Sequence, residues 1–118
     1  MATDGSSTAT AAVDRAAEVA RSTGGTLTVL CAAPTAKGEA VVERERARLA
    51  ELGLTVDTVV ADGDPATAIV DTAEAGGYDL VVVGNKGMTG ARRFFTLGSI
   101  PNKVSHSLAT SLLIVKTT

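Results

Sequence analysis

Apolar residues recur at helical spacing at Ala12, Val13, Ala16, Ala17 and Ala20, and predict a helix over about residues 8–22. Ser6, Ser7 and Thr8 ahead of it can cap its free amides, and Gly24-Gly25 ends the pattern. Residues 26–32 are rich in β-formers and stop near Pro34, so they read as a buried strand. Residues 37–52 form a charged helix with Val42, Leu49 and Leu52 expected inward and Gly53 closing it. The next strand covers 54–60. Asp62-Gly63-Asp64-Pro65 then turns the chain into a helix whose Ala66, Ile69, Val70 and Ala73 share one face, ended by Gly76-Gly77. Residues 80–83 are continuously aliphatic, as suits a parallel strand covered on both faces. Ile100, Val104 and Leu108 make the last helix amphipathic, and residues 112–116 form the final strand.

Strands alternating with helices of this length predict a doubly wound α/β sheet, in which ligands sit beyond the carboxyl ends of the strands at the switch point. Asp4-Gly5 and the loop that starts at Gly84 both fall at such ends. The 118 residues suffice for one domain, 1–118, and one core. The strand ahead of Asp4 is short, with only Met1 and Ala2 before Thr3.

Composition narrows the partners. The chain is 45% hydrophobic but only 3% aromatic, so the core is aliphatic and lacks the stacking platforms that single-stranded nucleic acids need. Eleven basic and 13 acidic residues leave a net charge of -2, so an anion must be gripped locally; neither nucleic acid nor an acidic membrane is expected as a partner. No apolar run approaches the ~20 residues that span a bilayer, and the first residues show no signal peptide, which makes the cytoplasm the expected location. One Cys and one His exclude a disulfide framework and a multi-ligand Cys/His metal site. Cys31 reads as a small buried hydrophobe and His106 as a surface residue. No catalytic residue and no metal ligand is assigned.

The chemistry lies in Gly84-Asn85-Lys86-Gly87-Met88-Thr89-Gly90, followed by Leu97-Gly98-Ser99-Ile100-Pro101-Asn102. Three glycines can adopt positive φ and approach an anion closely, and Gly98-Ser99 offers free amides at the positive end of a helix dipole. The spacing matches neither the P-loop nor the dinucleotide fingerprint. Gly-x2-Gly, a spacer of about ten residues and Gly-Ser at a helix start is a different phosphate-binding pattern. Lys86, Arg92 and Arg93 are either solvated cations or phosphate contacts, and Asp4 is either a turn carboxylate or a ribose contact.

Together with Thr3-Asp4-Gly5-Ser6, Gly63-Asp64-Pro65-Ala66 and Asp79-Leu80-Val81-Val82-Val83-Gly84, that pattern resembles the ATP-binding branch of the universal stress protein family over nearly the whole chain. The resemblance implies an open parallel five-stranded sheet in the order 3-2-1-4-5 with helices on both faces. It implies an adenine-nucleotide site at Thr3, Asp4, Ala32, Gly84, Asn85, Gly87, Met88, Gly98, Ser99, Ile100 and Pro101. The glycine loop and the Gly98-Ser99 step, with the Ser99 hydroxyl, would hold the phosphates, Asp4 would lie by the nucleoside, and Ala32 would border the base. The ligand is then ATP, or ADP, AMP or cyclic AMP, with Mg²⁺ bridging phosphates and Asp4 as its indirect partner. Pairing of two copies through Leu112, Leu113, Ile114 and Val115 is implied as well. The chain departs from the family in three places: the spacer from Met88 to Leu97 is one residue longer, the first strand is short, and the segment after the second strand is shorter. Binding, more than turnover, is the expected task. A slow ATP hydrolase or nucleotidyl transferase and a nucleotide-free dimeric interaction module are the alternatives.

Overall fold

In the computed structural model of the chain, residues 1–85 and 99–117 are described. The order of elements is α1 (Ser7–Thr23), β1 (Thr28–Ala32), α2 (Thr35–Glu51), β2 (Asp57–Ala61), α3 (Pro65–Gly76), β3 (Leu80–Gly84), α4 (Ser99–Ser107) and β4 (Ser111–Val115). The Ser6 hydroxyl oxygen caps α1 by accepting the Ala9 N–H at 3.2 Å, and Gly24, in the left-handed region at φ 70°, ends the helix. At α3, the Asp64 carboxylate accepts both the Thr67 N–H (3.0 Å) and the Thr67 hydroxyl (2.9 Å), and Pro65 begins the helix. Those two bonds, the backbone one foremost, hold the Asp64 carboxyl below the usual carboxylate range.

One expected core position is corrected. Leu52 is 56% exposed and does not face inward, because α2 ends at Glu51. The Leu54 N–H reaches back to the Leu49 carbonyl at 3.0 Å as the chain turns through Gly53, so Leu54 packs on the core instead. Strands also start later than the apolar runs predict, at Thr28 and Asp57, since Leu27 and Val56 are buried ahead of the paired ladder. Val70, expected on the buried face of α3, is only half-buried.

β1 and β2 pair in parallel from Thr28 opposite Asp57 to Ala32 opposite Ala61, and β3 and β4 from Leu80 opposite Ser111 to Gly84 opposite Val115. The described residues thus form two two-stranded parallel sheets, and the single five-stranded sheet that the family resemblance implies is not registered as such among them. Residues 1–3 run between the pairs. The Thr3 N–H donates to the Leu30 carbonyl (2.9 Å), the Leu30 N–H to the Met1 carbonyl (2.8 Å) and the Ala2 N–H to the Val82 carbonyl (3.1 Å). This segment is too short to register as more than a parallel bridge from Ala2 to Leu30.

Successive strand residues point to opposite faces, and the core divides accordingly. Val29, Cys31 and Val82 pack with Val13, Ala16 and Ala20 of α1 and Val42 and Leu49 of α2. Leu30, Val81 and Val83 pack with Ala66, Ile69 and Ala73 of α3 and Val104 of α4. Helices therefore cover both faces, the doubly wound α/β arrangement that the alternation predicts. Among the described residues no helix is long and apolar enough to cross a membrane.

Candidate functional site

Because the paired strands are parallel and residues 1–3 run parallel to β1, their carboxyl ends gather at one end of the fold. Thr3 and Asp4, Ala32 and Gly84 lie there. The crossover from β3 to the parallel β4 requires α4 to run back along the sheet, so Ser99, Ile100 and Pro101, which open α4, start from the same end. A helix N-terminus directed at the ends of parallel strands places unpaired amides and a positive dipole where anions bind in such folds.

The turn after Thr3 is tightly specified. Thr3 is buried, and its hydroxyl oxygen accepts the Gly5 N–H at 3.1 Å. One Asp4 carboxylate oxygen accepts the Ser6 N–H at 2.9 Å. Gly5 sits at φ 83°, and a Cβ there would stand 2.9 Å from Val41 Cγ2 of α2, so only glycine satisfies both the backbone and the space. Asp4 thus acts in its turn and still sits at the head of the strands, so the two readings left open for it are compatible.

Gly84 is the last residue of β3, opposite Val115, and its φ lies outside the left-handed region expected of the loop glycines. Pairing explains this: the Asn85 N–H still bonds to the Val115 carbonyl at 2.9 Å, so the ladder continues one residue past Gly84. The Asn85 side-chain carbonyl accepts the Thr117 N–H (2.9 Å) and hydroxyl (3.2 Å), which commits that oxygen to closing the β3–β4 pair and leaves its amide nitrogen for other partners. Ala32 ends β1, half-buried. Gly87, Met88 and Gly98, together with Lys86, Arg92 and Arg93, lie outside the described residues.

Two cations of α2 join this end and carry no signal in the sequence beyond their charge. Arg44 Nη2 donates to the Gly5 carbonyl at 2.7 Å. Lys37, in the first turn of α2, acts together with Asp4 on the Cys31 thiol: burial pushes the thiol up first, Asp4 adds to that and Lys37 opposes it. Lys37 stands in the first turn of α2, which starts at Thr35 close after the carboxyl end of β1, and the short link could have signalled this. Cys31 is 1% exposed and His106 is exposed, as expected of both. Among the described residues no three His, Cys, Asp or Glu side chains gather to hold a metal ion.

A sequence profile of the universal stress protein family matches residues 1–116. The universal stress protein YxiE of Bacillus subtilis is 35% identical over 80 residues, which covers 68% of this chain and 53% of that protein. The universal stress protein MJ0531 of Methanocaldococcus jannaschii is 32% identical over 80 residues, covering 68% and 46%. The chain spans about half the length of these curated relatives. A crystal structure of a universal stress protein in complex with cAMP superposes with a TM-score of 0.84 at 32% identity, over all of this chain and 94% of that one. UspA of Lactobacillus plantarum shares the fold, with a TM-score of 0.72 at 22% identity over 97% of this chain and 93% of that one.

Proposed function

Since the chain belongs to the universal stress protein family, we propose that it binds an adenine nucleotide at the carboxyl ends of its parallel strands. The observation that carries this reading is the convergence of three elements: the Asp4 turn, the Gly84-Asn85 end of β3 and the N-terminus of α4. It is supported by the 32% identical neighbour solved in complex with cAMP. Main-chain amides suit phosphate oxygens, and a helix start adds a fixed positive field of about half a charge. On this reading Gly84, Gly87, Gly98 and Ser99 to Pro101 surround the phosphates, Asn85 and Met88 flank them, Thr3 and Asp4 face the nucleoside, and Ala32 borders the base. Residues 1–3 then serve as the short central strand that joins the two sheets in the order 3-2-1-4-5.

ATP, ADP, AMP and cyclic AMP all present the same adenosine and at least one phosphate, and the proposal is for that shared part. With Asp4 as the one carboxylate of the turn, a Mg²⁺ ion would be held mainly by the phosphate oxygens of a triphosphate, with Asp4 reaching it through water. We also propose that two copies pair along β4.

Titration calorimetry with the four nucleotides tests the binding. Heat of saturable binding is expected for at least one of them, and Gly98→Val should abolish it, because a branched side chain would fill the space through which phosphate approaches. No heat from any of the four with folded protein would overturn the reading.

A further inference from the structure

We propose that Arg44 of α2 is a positioning residue that sets the Asp4 carboxylate in its ligand-ready orientation, and this rests on the nucleotide reading above. Arg44 lies 39 residues from the turn it contacts. Its guanidinium Nη2 donates to the Gly5 carbonyl at 2.7 Å. The Gly5 carbonyl and the Ser6 N–H belong to one peptide unit, and that N–H donates to Asp4 Oδ1 at 2.9 Å. Arg44 therefore grips the oxygen end of a rigid plane whose other end holds the carboxylate.

Two consequences follow from elementary chemistry. A cation on the carbonyl polarises the peptide and strengthens donation by its N–H, so the Asp4 bond gains from Arg44 without any contact between the two side chains. The grip also decides which way the plane faces. Gly5, at φ 83°, has no Cβ to resist a flip of the peptide that follows it. Its own N–H is fixed by the Thr3 hydroxyl oxygen at 3.1 Å, which leaves the 5–6 peptide as the free element of the turn. Arg44 closes that freedom. Val41, one helical turn earlier on the same face of α2, packs against Gly5 and holds the helix at the right distance. With Oδ1 bound to Ser6, Oδ2 is the oxygen that a ribose hydroxyl or a water on a metal ion would meet.

Arg44→Met retains most of the apolar stem of the side chain and removes the donors; Arg44→Lys restores a cationic donor group. Binding of ATP and of inorganic tripolyphosphate to each variant, by calorimetry, separates positioning from direct phosphate contact. Arg44→Met should weaken ATP about fivefold to tenfold, the size of one ordinary hydrogen bond because the effect reaches the ligand only through the peptide, and leave tripolyphosphate unchanged, while Arg44→Lys recovers most of the loss. In the ligand-free protein, hydrogen exchange at the Ser6 amide should accelerate in Arg44→Met, with the amides of the α1 and α2 interiors unchanged. Equal losses for ATP and tripolyphosphate would assign Arg44 to the phosphates and overturn the proposal. Unchanged ATP affinity with unchanged Ser6 exchange would overturn it as well. If the wild-type protein binds no nucleotide, the binding reading fails by itself, and Ser6 exchange still decides whether Arg44 holds the turn.

Discussion

Glu45 is fully buried, yet its carboxylate is completely engaged. Thr10 of α1 donates its hydroxyl to Oε1 at 3.1 Å, and Arg48 donates Nε (3.3 Å) and Nη2 (2.6 Å) to Oε2 while its Nη1 pairs with Asp14. Arg48 in turn is held above the usual guanidinium range, chiefly by its hydrogen bond to Glu45. Such a cluster fixes the register of α1 on α2, and removing one partner strands a charge in the core. Arg48→Met is therefore expected to lower the unfolding free energy by about 3 kcal/mol, the low end for a broken buried pair, because the Arg48 side chain keeps 31% of its surface in water. Urea denaturation would measure it, with the Glu45→Met, Arg48→Met double variant closer to wild type than Arg48→Met alone. A double variant less stable than the single one would contradict this account. The cluster was partly legible in the chain. Position 45 continues the inward series Val41, Val42 and Leu49, so helical spacing alone puts a carboxylate on the buried face. Its partners were not legible, since Thr10 and Asp14 come from a different helix.

The α2–β2 contact shows a second kind of information that spacing does not carry. Gly38 is buried inside α2, where glycine costs about 1 kcal/mol in helix propensity relative to alanine. Its role is closeness: a Cβ at Gly38 would run into Val60 Cγ1 of β2. Valine has little rotamer freedom with which to yield, so the helix would have to lift from the strand. Gly38→Ala should thus destabilise the protein by about 1–2 kcal/mol despite its better propensity, and Val60→Ala added to it should recover part of the loss, both read from chemical denaturation midpoints. A stabilised Gly38→Ala would show that the two elements can separate without cost. Elements with strong periodicity and strong punctuation, such as α1 between Ser6 and Gly24 and α3 between Asp64 and Gly77, stand within a residue or two of where the pattern puts them. Leu52 and Leu54 do not. Periodicity cannot tell that a helix has ended when apolar residues continue past it, and the bond from the Leu54 N–H to the Leu49 carbonyl decides which one turns inward. At the site, Thr3, Asp4 and Gly84 are where alternation of strand and helix places them. The Arg44 contact with Gly5 belongs to tertiary structure alone.

The two outermost described strands differ in character, and this bears on the proposed pairing of two copies. β2 reads Asp57-Thr58-Val59-Val60-Ala61 and has α2 pressed against it, whereas β4 reads Ser111-Leu112-Leu113-Ile114-Val115. The side chains of β4 already have places: Leu113 and Val115 pack on one core and Leu112 and Ile114 on the other. What its far side offers is main chain. The Val115 carbonyl accepts the Asn85 N–H, so strand alternation turns the main-chain groups of Leu112 and Ile114 away from β3. An aliphatic edge whose outward donors and acceptors have no partner among the described residues is the kind of surface that folded proteins cover, and an antiparallel second copy of β4 would satisfy both groups at once. Proline at 114 removes one outward donor and obstructs a neighbouring strand while leaving the bonds to β3 in place. Ile114→Pro is expected to sediment as one chain where the wild type sediments as two. Ile114→Ala, which loses a comparable apolar volume from the same half-buried position, should stay paired even though it lowers the unfolding midpoint. If all three proteins sediment with the same mass, β4 is not the seam, and its aliphatic side chains serve only the two cores they already fill.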